Sequence, residues 1–504
     1  MKQKYKIFTA LGVVFLISAV VFFFIAQHFV QYSSDSSAGI LMAKDILHGN
    51  VLLKGWYIPR DHFLTTDILF FIPCIALFGV TPVVPEIISG LLGALIFVVA
   101  IGVSLSGISK EKYYTAASIT VAMLFSSFFF LSHLLTIPAH GFTALFALVS
   151  IYGTYKYCTN GNIWYLVLSG IPSVLGAFGD PLYLAVVTLP ISIVVITSIV
   201  QRHAHRREYW IGFTQLLAVL IGLGANGIFG KIGPTIITQQ LQIATIPIFL
   251  QNIQTFVQLT FQSYGANIFG QFLTVSIIPL VISLIKIGAV VFVFRAVIRT
   301  RSQGTSDFLS NILFMSVITS SLAFLMVMVS GSAQGVDSVR YLLPVFVCAA
   351  PLVGRSIAGF KMETWVKSGV ILASALCVLI TSRELLITKP ELNAPAQLGP
   401  VLAEHGLSRG YGTYYSGTSA TLYSDGKSWV SPLNVNNGVP TAYNWLSSED
   451  WYKVPANFLV VWSNDPESLF NSVLPVAGNP VNSFTAGGYT VYVWDHDITP
   501  AIHP

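Results

Sequence analysis

The chain has 504 residues, of which 54% are hydrophobic and only 9% are charged, and its formal net charge is +5. Soluble domains carry about 25% charged residues, so the composition excludes an ordinary soluble enzyme and is typical of a polytopic membrane protein. The basic residues sit in short segments between apolar runs, which argues against nucleic-acid binding. Four cysteines lie inside apolar runs without metal-ligand spacing and are predicted to be small core residues: Cys74, Cys158, Cys348 and Cys377.

Apolar runs near the roughly 20 residues that a transmembrane helix needs predict about eleven spans. They fall at approximately 7–27, 84–106, 114–134, 138–157, 163–178, 181–200, 210–229, 272–294, 308–330, 341–359 and 365–381. With a cytoplasmic amino terminus, more than half of the 26 basic residues lie on short inner segments, as the positive-inside rule requires. We therefore predict a multi-pass protein, with the short loops favouring a bacterial inner membrane.

The first outer loop, residues 28–83, contains an apolar run from Asp67 to Val80 that is too short to span a bilayer. Counting it as a span would move the basic residues after 200 to the outside, so we predict a re-entrant or interfacial helix. Residues 230–271 are predicted to form a second long outer loop.

After Arg383 the sequence changes character. Short β-rich runs, such as Asn457–Trp462, are separated by Gly, Pro, Asn and Asp turns. The sequence predicts a membrane domain over residues 1–383 and a soluble α/β or α+β domain over residues 384–504. The positive-inside orientation places that second domain outside the cytoplasm, in the periplasm of a bacterium.

Asp35 lies in the first polar stretch after the first span, between serines and without a basic neighbour. A carboxylate just outside a bilayer suits a group that accepts a proton from a substrate at the membrane surface. The alternative is an N-cap for the helix that follows. Asp45, next to Lys44 on that helix, is predicted to be a solvated surface charge.

Asp180 follows an apolar run in the sequence Gly179-Asp180-Pro181. These residues favour a turn, and Asp can cap the helix that Pro181 opens. An ionisable group at membrane depth is costly and is often functional, so both interpretations stay open. His140, at an outer turn beside Pro138, is predicted to be a core or loop histidine.

Basic and aromatic residues of the outer loops could hold an anionic lipid head group. Arg340 offers a planar fork matched to phosphate oxygens, although an ion pair with Asp337 three residues earlier is the alternative. The first loop adds Lys54, Trp56, Tyr57, Arg60 and His62. We predict phosphate binding by Lys54, Arg60 and Arg340, and substrate or acceptor contacts by Trp56, Tyr57 and His62.

Residues 30–82 resemble the start of GT-C glycosyltransferases of the dolichyl- or undecaprenyl-phosphate mannose or aminoarabinose transferase type. The shared features are an apolar span, a polar link with Asp35, the amphipathic segment Ala38–Asn50, and an apolar helix ending at Phe78-Gly79. In that family the link carries a catalytic Asp, and Asp180 matches a second acidic position at the outer end of a middle span. The chain departs from the family in having Ser34-Asp35-Ser36 where many members have paired acidic residues.

The resemblance implies a GT-C-like membrane fold and an inverting transfer of a sugar from a polyprenyl phosphate to an acceptor hydroxyl on a lipid, glycan or protein. Asp35 would be the general base, and Asp180 a second catalytic residue. A divalent cation, Mg²⁺ or Mn²⁺, bound by Asp35 and Asp180 is left open. Two other classes remain: a transporter or flippase of lipid-linked glycans, and a non-catalytic envelope scaffold.

Overall fold

The computed structural model describes residues 2–201, 206–238, 242–266, 307–330, 335–388, 393–464 and 467–502, with individual residues between 283 and 298. The helices of its first 266 residues are Lys2–Phe29 (α1), Ser34–Leu47 (α2), Leu69–Phe78 (α3), Val83–Leu105 (α4), Tyr113–Leu124 (α5), Phe128–Leu134 (α6), Gly141–Asn160 (α7), Ile163–Gly179 (α8), Leu189–Val200 (α9), Arg206–Ile232 (α10) and Ile246–Ser263 (α11). Then follow Phe308–Val329 (α12), Leu343–Gly359 (α13), Thr364–Ile387 (α14), Ala394–Glu404 (α15), Gly417–Tyr423 (α16) and Glu467–Ala477 (α17).

Within the described residues, six helices are long and apolar enough to cross a membrane. They are Leu11–Phe29, Val83–Leu105, Arg206–Ile232, Phe308–Val329, Ser338–Gly359 and Thr364–Ile387. A seventh span results if Lys110–Leu124 and Phe128–Leu134, which meet at 82°, are counted together. The chain is therefore a multi-pass membrane protein.

The remaining predicted spans are not among these crossing helices. The runs at 163–178 and 181–200 form the shorter apolar helices Ile163–Gly179 and Leu184–Val200, and 138–157 forms α7, whose carboxyl-terminal half is rich in Thr, Tyr and Lys. The predicted span 272–294 lies almost entirely outside the described residues. Most of these runs thus become helices, but fewer than eleven meet the length and polarity of a full crossing.

The two long outer loops contain regular structure. In the first, a π-helical turn at Leu64–Ile68 leads into α3, so the run predicted to be re-entrant is a helix of 15 residues from Leu64 to Phe78. In the second, predicted to be a loop, a short strand (β2, Thr235–Ile237) is followed by α11. The amphipathic pattern of α11 was missed because its polar residues are glutamines and asparagines rather than charges.

Close helix packing inside the membrane domain depends on small residues, as is usual between transmembrane helices. At Gly90 of α4, a Cβ atom would lie 3.0 Å from the backbone oxygen of Ala19 and from the backbone nitrogen of Phe23. Helices α1 and α4 therefore pack backbone to backbone, which fixes the outer end of α1, where the chain turns into α2.

The carboxyl-terminal domain is built on a six-stranded sheet of order β5-β4-β3-β7-β9-β8. Its strands are Arg409–Thr413 (β3), Trp429–Asn436 (β4), Val439–Ala442 (β5), Phe458–Trp462 (β7), Asn482–Ala486 (β8) and Tyr489–Val493 (β9). Strand β3 is parallel to both β4 and β7, and the remaining pairs are antiparallel. Helices α15 and α16 pack on each other and α16 packs on β4, so the domain is α/β, one of the two predicted classes.

A second, three-stranded sheet joins the domain to both outer loops. Strand β1 (Trp56–Pro59) of the first loop is parallel to β2 of the second and antiparallel to β6 (Ser447–Ser448) of the carboxyl-terminal domain. The domain is thus tied by backbone hydrogen bonds to the first loop, which carries several of the predicted site residues.

Candidate functional site

A cavity of about 730 Å³ lies between the membrane domain, at the junction of α1 and α2, and the carboxyl-terminal domain. This volume is within the usual range of ligand-binding pockets. Asp35 and Arg340 both line it. The membrane side also contributes Phe29–Gln31, Ser33, Ser34, Ser36, Ser132, His133, Thr136, Pro138 and Ala139, and the other side contributes Asn393, Tyr414, Tyr415, Tyr443 and Trp445.

The position of Asp35 follows from how α2 begins. Ser33 has an extended backbone, and its hydroxyl accepts a hydrogen bond from the amide of Ser36, so Ser33 is the N-cap. Asp35 lies in the first turn, where the helix dipole favours a carboxylate. The alternative prediction that Asp35 caps the helix is therefore wrong, and its side chain is free to face the cavity.

The carboxyl-terminal domain holds this first turn in place. The Ser34 hydroxyl donates to the backbone oxygen of Tyr414 and lies 3.1 Å from the hydroxyl of Ser419. The hydroxyl of Thr418 donates to the backbone oxygen of Ser34 over 2.9 Å. Because Ser34 is buried in these contacts, the backbone beside Asp35 has little freedom to move.

The two oxygens of the Asp35 carboxylate have different partners. Tyr414 donates its hydroxyl hydrogen to Oδ1, and a guanidinium nitrogen of Arg340 is 3.6 Å from Oδ2. Both charged side chains keep more than a third of their surface exposed. Asp35 has no basic neighbour in sequence, but the fold supplies one.

Burial raises the pKa of Tyr414 far above its usual value, and the nearby negative charge of Asp35 raises it further. The phenol therefore keeps its proton at neutral pH and acts as a hydrogen-bond donor to the carboxylate.

Arg340 lies on a 3₁₀ turn, Val336–Leu342, directly before α13. The turn starts at Gly335, whose φ of +75° is readily adopted only by glycine. The guanidinium carbon is 5.3 Å from the centre of the Tyr341 ring, a cation–π distance. The alternative partner, Asp337, has a side chain outside the described part of the structure, and the described partner of Arg340 is Asp35.

Asp180 is buried at the carboxyl end of α8. Its Oδ2 accepts hydrogen bonds from Thr143 and lies 2.7 Å from Nδ1 of His140, and its Oδ1 accepts from the Leu182 amide over 3.0 Å. Burial alone would raise the pKa of Asp180, but His140 and these hydrogen bonds together lower it. Asp180 therefore stays a carboxylate, and the bond to Leu182 shows that it also stabilises the predicted turn.

The Asp180–His140 pair is linked to the cavity through aromatic contacts. The His140 ring lies 4.8 Å from the ring of Tyr341, which in turn lies beside Arg340. Asp180 does not line the cavity. It holds His140, and the His140 ring packs against Tyr341, which contacts Arg340.

The first-loop residues predicted to bind substrate lie elsewhere, and none of them lines the cavity. Trp56 is buried, donates from Nε1 to Asp45 and packs edge-on against Trp451. Tyr57 is paired in the three-stranded sheet. Lys54 and Arg60 are exposed. The prediction that Asp45 is a solvated charge is wrong, because its carboxylate accepts hydrogen bonds from both Trp56 and Asn50.

His62 is also buried, and it packs against Phe178 and Phe229 with ring centres 5.0 and 5.3 Å away. Its Nδ1 accepts a hydrogen bond from the amide of Leu64 over 3.2 Å. Burial lowers the pKa of His62 to about 4, so the imidazole is neutral. These contacts place His62 in the packing beneath the first loop.

Sequence reasoning missed the residues that the carboxyl-terminal domain adds to the cavity. Tyr414 and Tyr415 lie in the turn between β3 and α16. The sequence contains a compositional signal for a binding surface in four aromatic residues of this domain: Tyr414, Tyr415, Tyr443 and Trp445. No sequence pattern indicates that this surface lies close to Asp35.

The donor set does not fit a metal held by Asp35 and Asp180. Among the described residues there is no group of three or more His, Cys, Asp or Glu side chains that could hold an ion. Asp180 already has Thr143, His140 and Leu182 as partners, while Asp35 is engaged by Tyr414 and Arg340. We derive no step through a metal.

No protein-family model and no curated protein sequence matches this chain. The solved structures similar to it include two crystal structures of ArnT from Cupriavidus metallidurans. The crystal structure in the apo state aligns with a TM-score of 0.42 and 13% identity over 98% of this chain and 99% of that one. The crystal structure bound to undecaprenyl phosphate aligns with the same TM-score and identity over 96% and 98%. Similarity at this level assigns no activity, so the function is argued from the site.

Proposed function

We propose that this protein is a membrane glycosyltransferase that moves a sugar from a polyprenyl phosphate to an acceptor hydroxyl, with Asp35 as the general base. The observation that carries the proposal is the pairing of Asp35 and Arg340 at the wall of a polar cavity beside the membrane helices. Transfer from a glycosyl phosphate needs a base for the acceptor and a cation for the departing phosphate. The resemblance of residues 30–82 to GT-C glycosyltransferases supports the same chemistry.

The proposed reaction is a single displacement. A phosphate oxygen bound by Arg340 would bring the anomeric carbon next to Asp35, because the guanidinium is 3.6 Å from the carboxylate. The acceptor O–H gives its proton to Asp35, the acceptor oxygen bonds to the anomeric carbon, and the carbon–oxygen bond to the phosphate breaks. The electron pair leaves with the polyprenyl phosphate, whose charge Arg340 balances. Attack opposite to the leaving group would invert the anomeric carbon.

We assign Asp180 a positioning role in this reaction. It holds His140 through a short, buried contact, and His140 packs on Tyr341 under Arg340. Replacing Asp180 would release His140 and let Arg340 shift, because interactions in a buried network are coupled. The effect should fall on the affinity for the phosphate donor more than on proton transfer.

The test is turnover of polyprenyl-phosphate sugar in membranes that carry the wild type, Asp35→Asn or Asp180→Asn. Asp450→Asn is a matched control, because Asp450 is exposed and pairs with Lys453 on the domain surface. Losing a general base costs about 10²- to 10⁴-fold in rate, so Asp35→Asn should accumulate unused donor while Asp450→Asn resembles the wild type. Normal turnover by a correctly inserted Asp35→Asn protein would rule out Asp35 as the base.

A second candidate, a transporter of lipid-linked glycans, is favoured by one specific observation. Asp67, His140 and Asp180 are all buried, and buried ionisable residues are typical of transport pathways. Transport predicts movement of intact donor across the membrane of vesicles and no new glycosidic bond. The same vesicles, assayed for both products, separate the two functions.

A further inference from the structure

The carboxyl-terminal side of the cavity has a composition unlike the membrane side. The described residues that line it are four aromatic side chains with polar groups, Tyr414, Tyr415, Tyr443 and Trp445, and one amide, Asn393. No aliphatic side chain of this domain lines the cavity among the described residues. A surface of flat rings edged by hydroxyl, indole N–H and amide groups is unsuited to an acyl chain and suited to a ligand with one C–H face and a rim of hydroxyls.

The rings form one continuous group over the carboxylate. Tyr414 and Tyr443 have ring centres 4.8 Å apart and are tilted by 35°, and Tyr415 lies 5.8 Å from Tyr414 and nearly perpendicular to it. Trp445 also hydrogen-bonds to Tyr414. Tyr415 exposes 71% of its surface, so most of its ring is open to solvent. We call Tyr415, Tyr443 and Trp445 the aromatic shelf.

The position of Tyr414 indicates where a ligand on the aromatic shelf would meet Asp35. Its hydroxyl donates a hydrogen bond to Oδ1 of Asp35, while Oδ2 faces Arg340. An acceptor hydroxyl that loses its proton to Asp35 has to approach the same carboxylate. The side of Asp35 that faces the carboxyl-terminal domain is therefore the side already arranged to receive a hydroxyl group, and the aromatic shelf surrounds that side.

We infer that the aromatic shelf is the acceptor subsite and that it takes a sugar ring, so that the acceptor is a glycan. This inference rests on the proposed transfer reaction and names its second substrate. The C–H face of a pyranose or furanose ring would pack on the electron-rich ring faces. Its hydroxyls would reach the hydroxyls of Tyr415 and Tyr443 and the Asp35 carboxylate. A polypeptide acceptor is the competing possibility that the test excludes.

The test uses purified full-length protein in detergent on an array of bacterial and synthetic glycans, with no donor present. The wild type should bind a defined set of glycans. Tyr415→Ala and Trp445→Leu should each weaken that binding by about three- to tenfold, the range expected for losing one aromatic contact. Trp462→Leu is the matched control, because this partly exposed indole lies on β7 and does not line the cavity.

Tyr415→Ala guards against a folding artefact, since a side chain so exposed contributes little to stability. A wild type that binds no glycan, or shelf variants that bind like Trp462→Leu, would overturn the inference, as would transfer to a polypeptide by a protein that binds no glycan. The array does not involve the donor. A negative array with Asp35-dependent turnover therefore removes the glycan subsite alone, and glycan binding without such turnover removes the proposed transfer reaction.

Discussion

The Tyr414 hydroxyl, on the carboxyl-terminal domain, donates a hydrogen bond to the Asp35 carboxylate at the first turn of α2. The two residues belong to different domains, so the site is complete only when the carboxyl-terminal domain is docked. The neighbouring bonds of Ser34 to Tyr414 and Thr418 hold the same turn. The domain therefore contributes to the arrangement of the proposed catalytic residue as well as to the acceptor side.

Tyr414→Phe should lower the rate of sugar transfer by about 10- to 100-fold, because the ring still packs on Tyr443 while one hydrogen bond to a charged group, worth about 1.5–3 kcal/mol, is lost. The effect should stay well below that of Asp35→Asn. Initial rates of donor consumption in detergent measure it, with the exposed Tyr114→Phe as a control. A Tyr414→Phe protein as inactive as Asp35→Asn would mean that the phenol itself takes part in proton transfer.

Arg340→Gln should raise the KM for the polyprenyl-phosphate sugar by about 10- to 100-fold, the value of a charge-assisted hydrogen bond. Arg340→Lys should recover part of this, since it restores the charge but not the planar fork. Arg60→Gln is the matched control, because Arg60 was predicted to bind phosphate but does not line the cavity. Equal KM effects of Arg60→Gln and Arg340→Gln would show that the phosphate binds elsewhere.

Asp35 and Arg340 were both identified from the sequence, but their contact was not. Each lies in a polar segment beside an apolar run, and that local pattern can be recognised from the sequence alone. Their approach to 3.6 Å depends on how α2 and the turn before α13 pack, and no spacing rule links segments so far apart. The Asp180–His140 pair, across two helices, was missed for the same reason.

The first-loop residues lie in a different setting from the one that their composition suggests. Lys54, Trp56, Tyr57, Arg60 and His62 form a basic and aromatic stretch whose composition suggests an open vestibule. Pairing of β1 with β2 and β6 buries Trp56 instead and turns its indole toward Asp45. Strand β1 has only four residues, and its partners come from distant segments of the chain. Such a strand has no hydrophobic periodicity by which it could be recognised in the sequence.

Trp56→Phe should lower the free energy of unfolding by about 1–3 kcal/mol, because the charged Asp45 carboxylate loses a 2.8 Å hydrogen bond in a partly buried setting. Thermal unfolding in detergent should show a lower Tm. Trp164→Phe, at an indole that is 72% exposed, should change stability by less than about 0.5 kcal/mol. Equal Tm values for wild type and Trp56→Phe would mean that β1 contributes little to docking of the domain.

His62→Asn should make stability less sensitive to acid. Burial lowers the pKa of His62 to about 4 in the folded protein, against about 6.5 in the unfolded chain. Below pH 6.5 the unfolded state binds a proton that the folded state does not, so the wild type loses stability as the pH falls toward 4. The difference of about 2.5 pKa units corresponds to roughly 3 kcal/mol.

Asn cannot titrate in this range, and its side-chain oxygen can still accept the hydrogen bond from the Leu64 amide that Nδ1 accepts now. Melting temperatures of wild type and His62→Asn, measured in parallel from pH 7.5 to 4.5, isolate the contribution of His62 from that of the carboxylates, which titrate in both proteins. The two curves should converge as the pH falls, because the decline from the imidazole exists only in the wild type. Parallel curves would show that His62 is accessible to protons in the folded state, and hence that the first loop opens above Phe178 and Phe229.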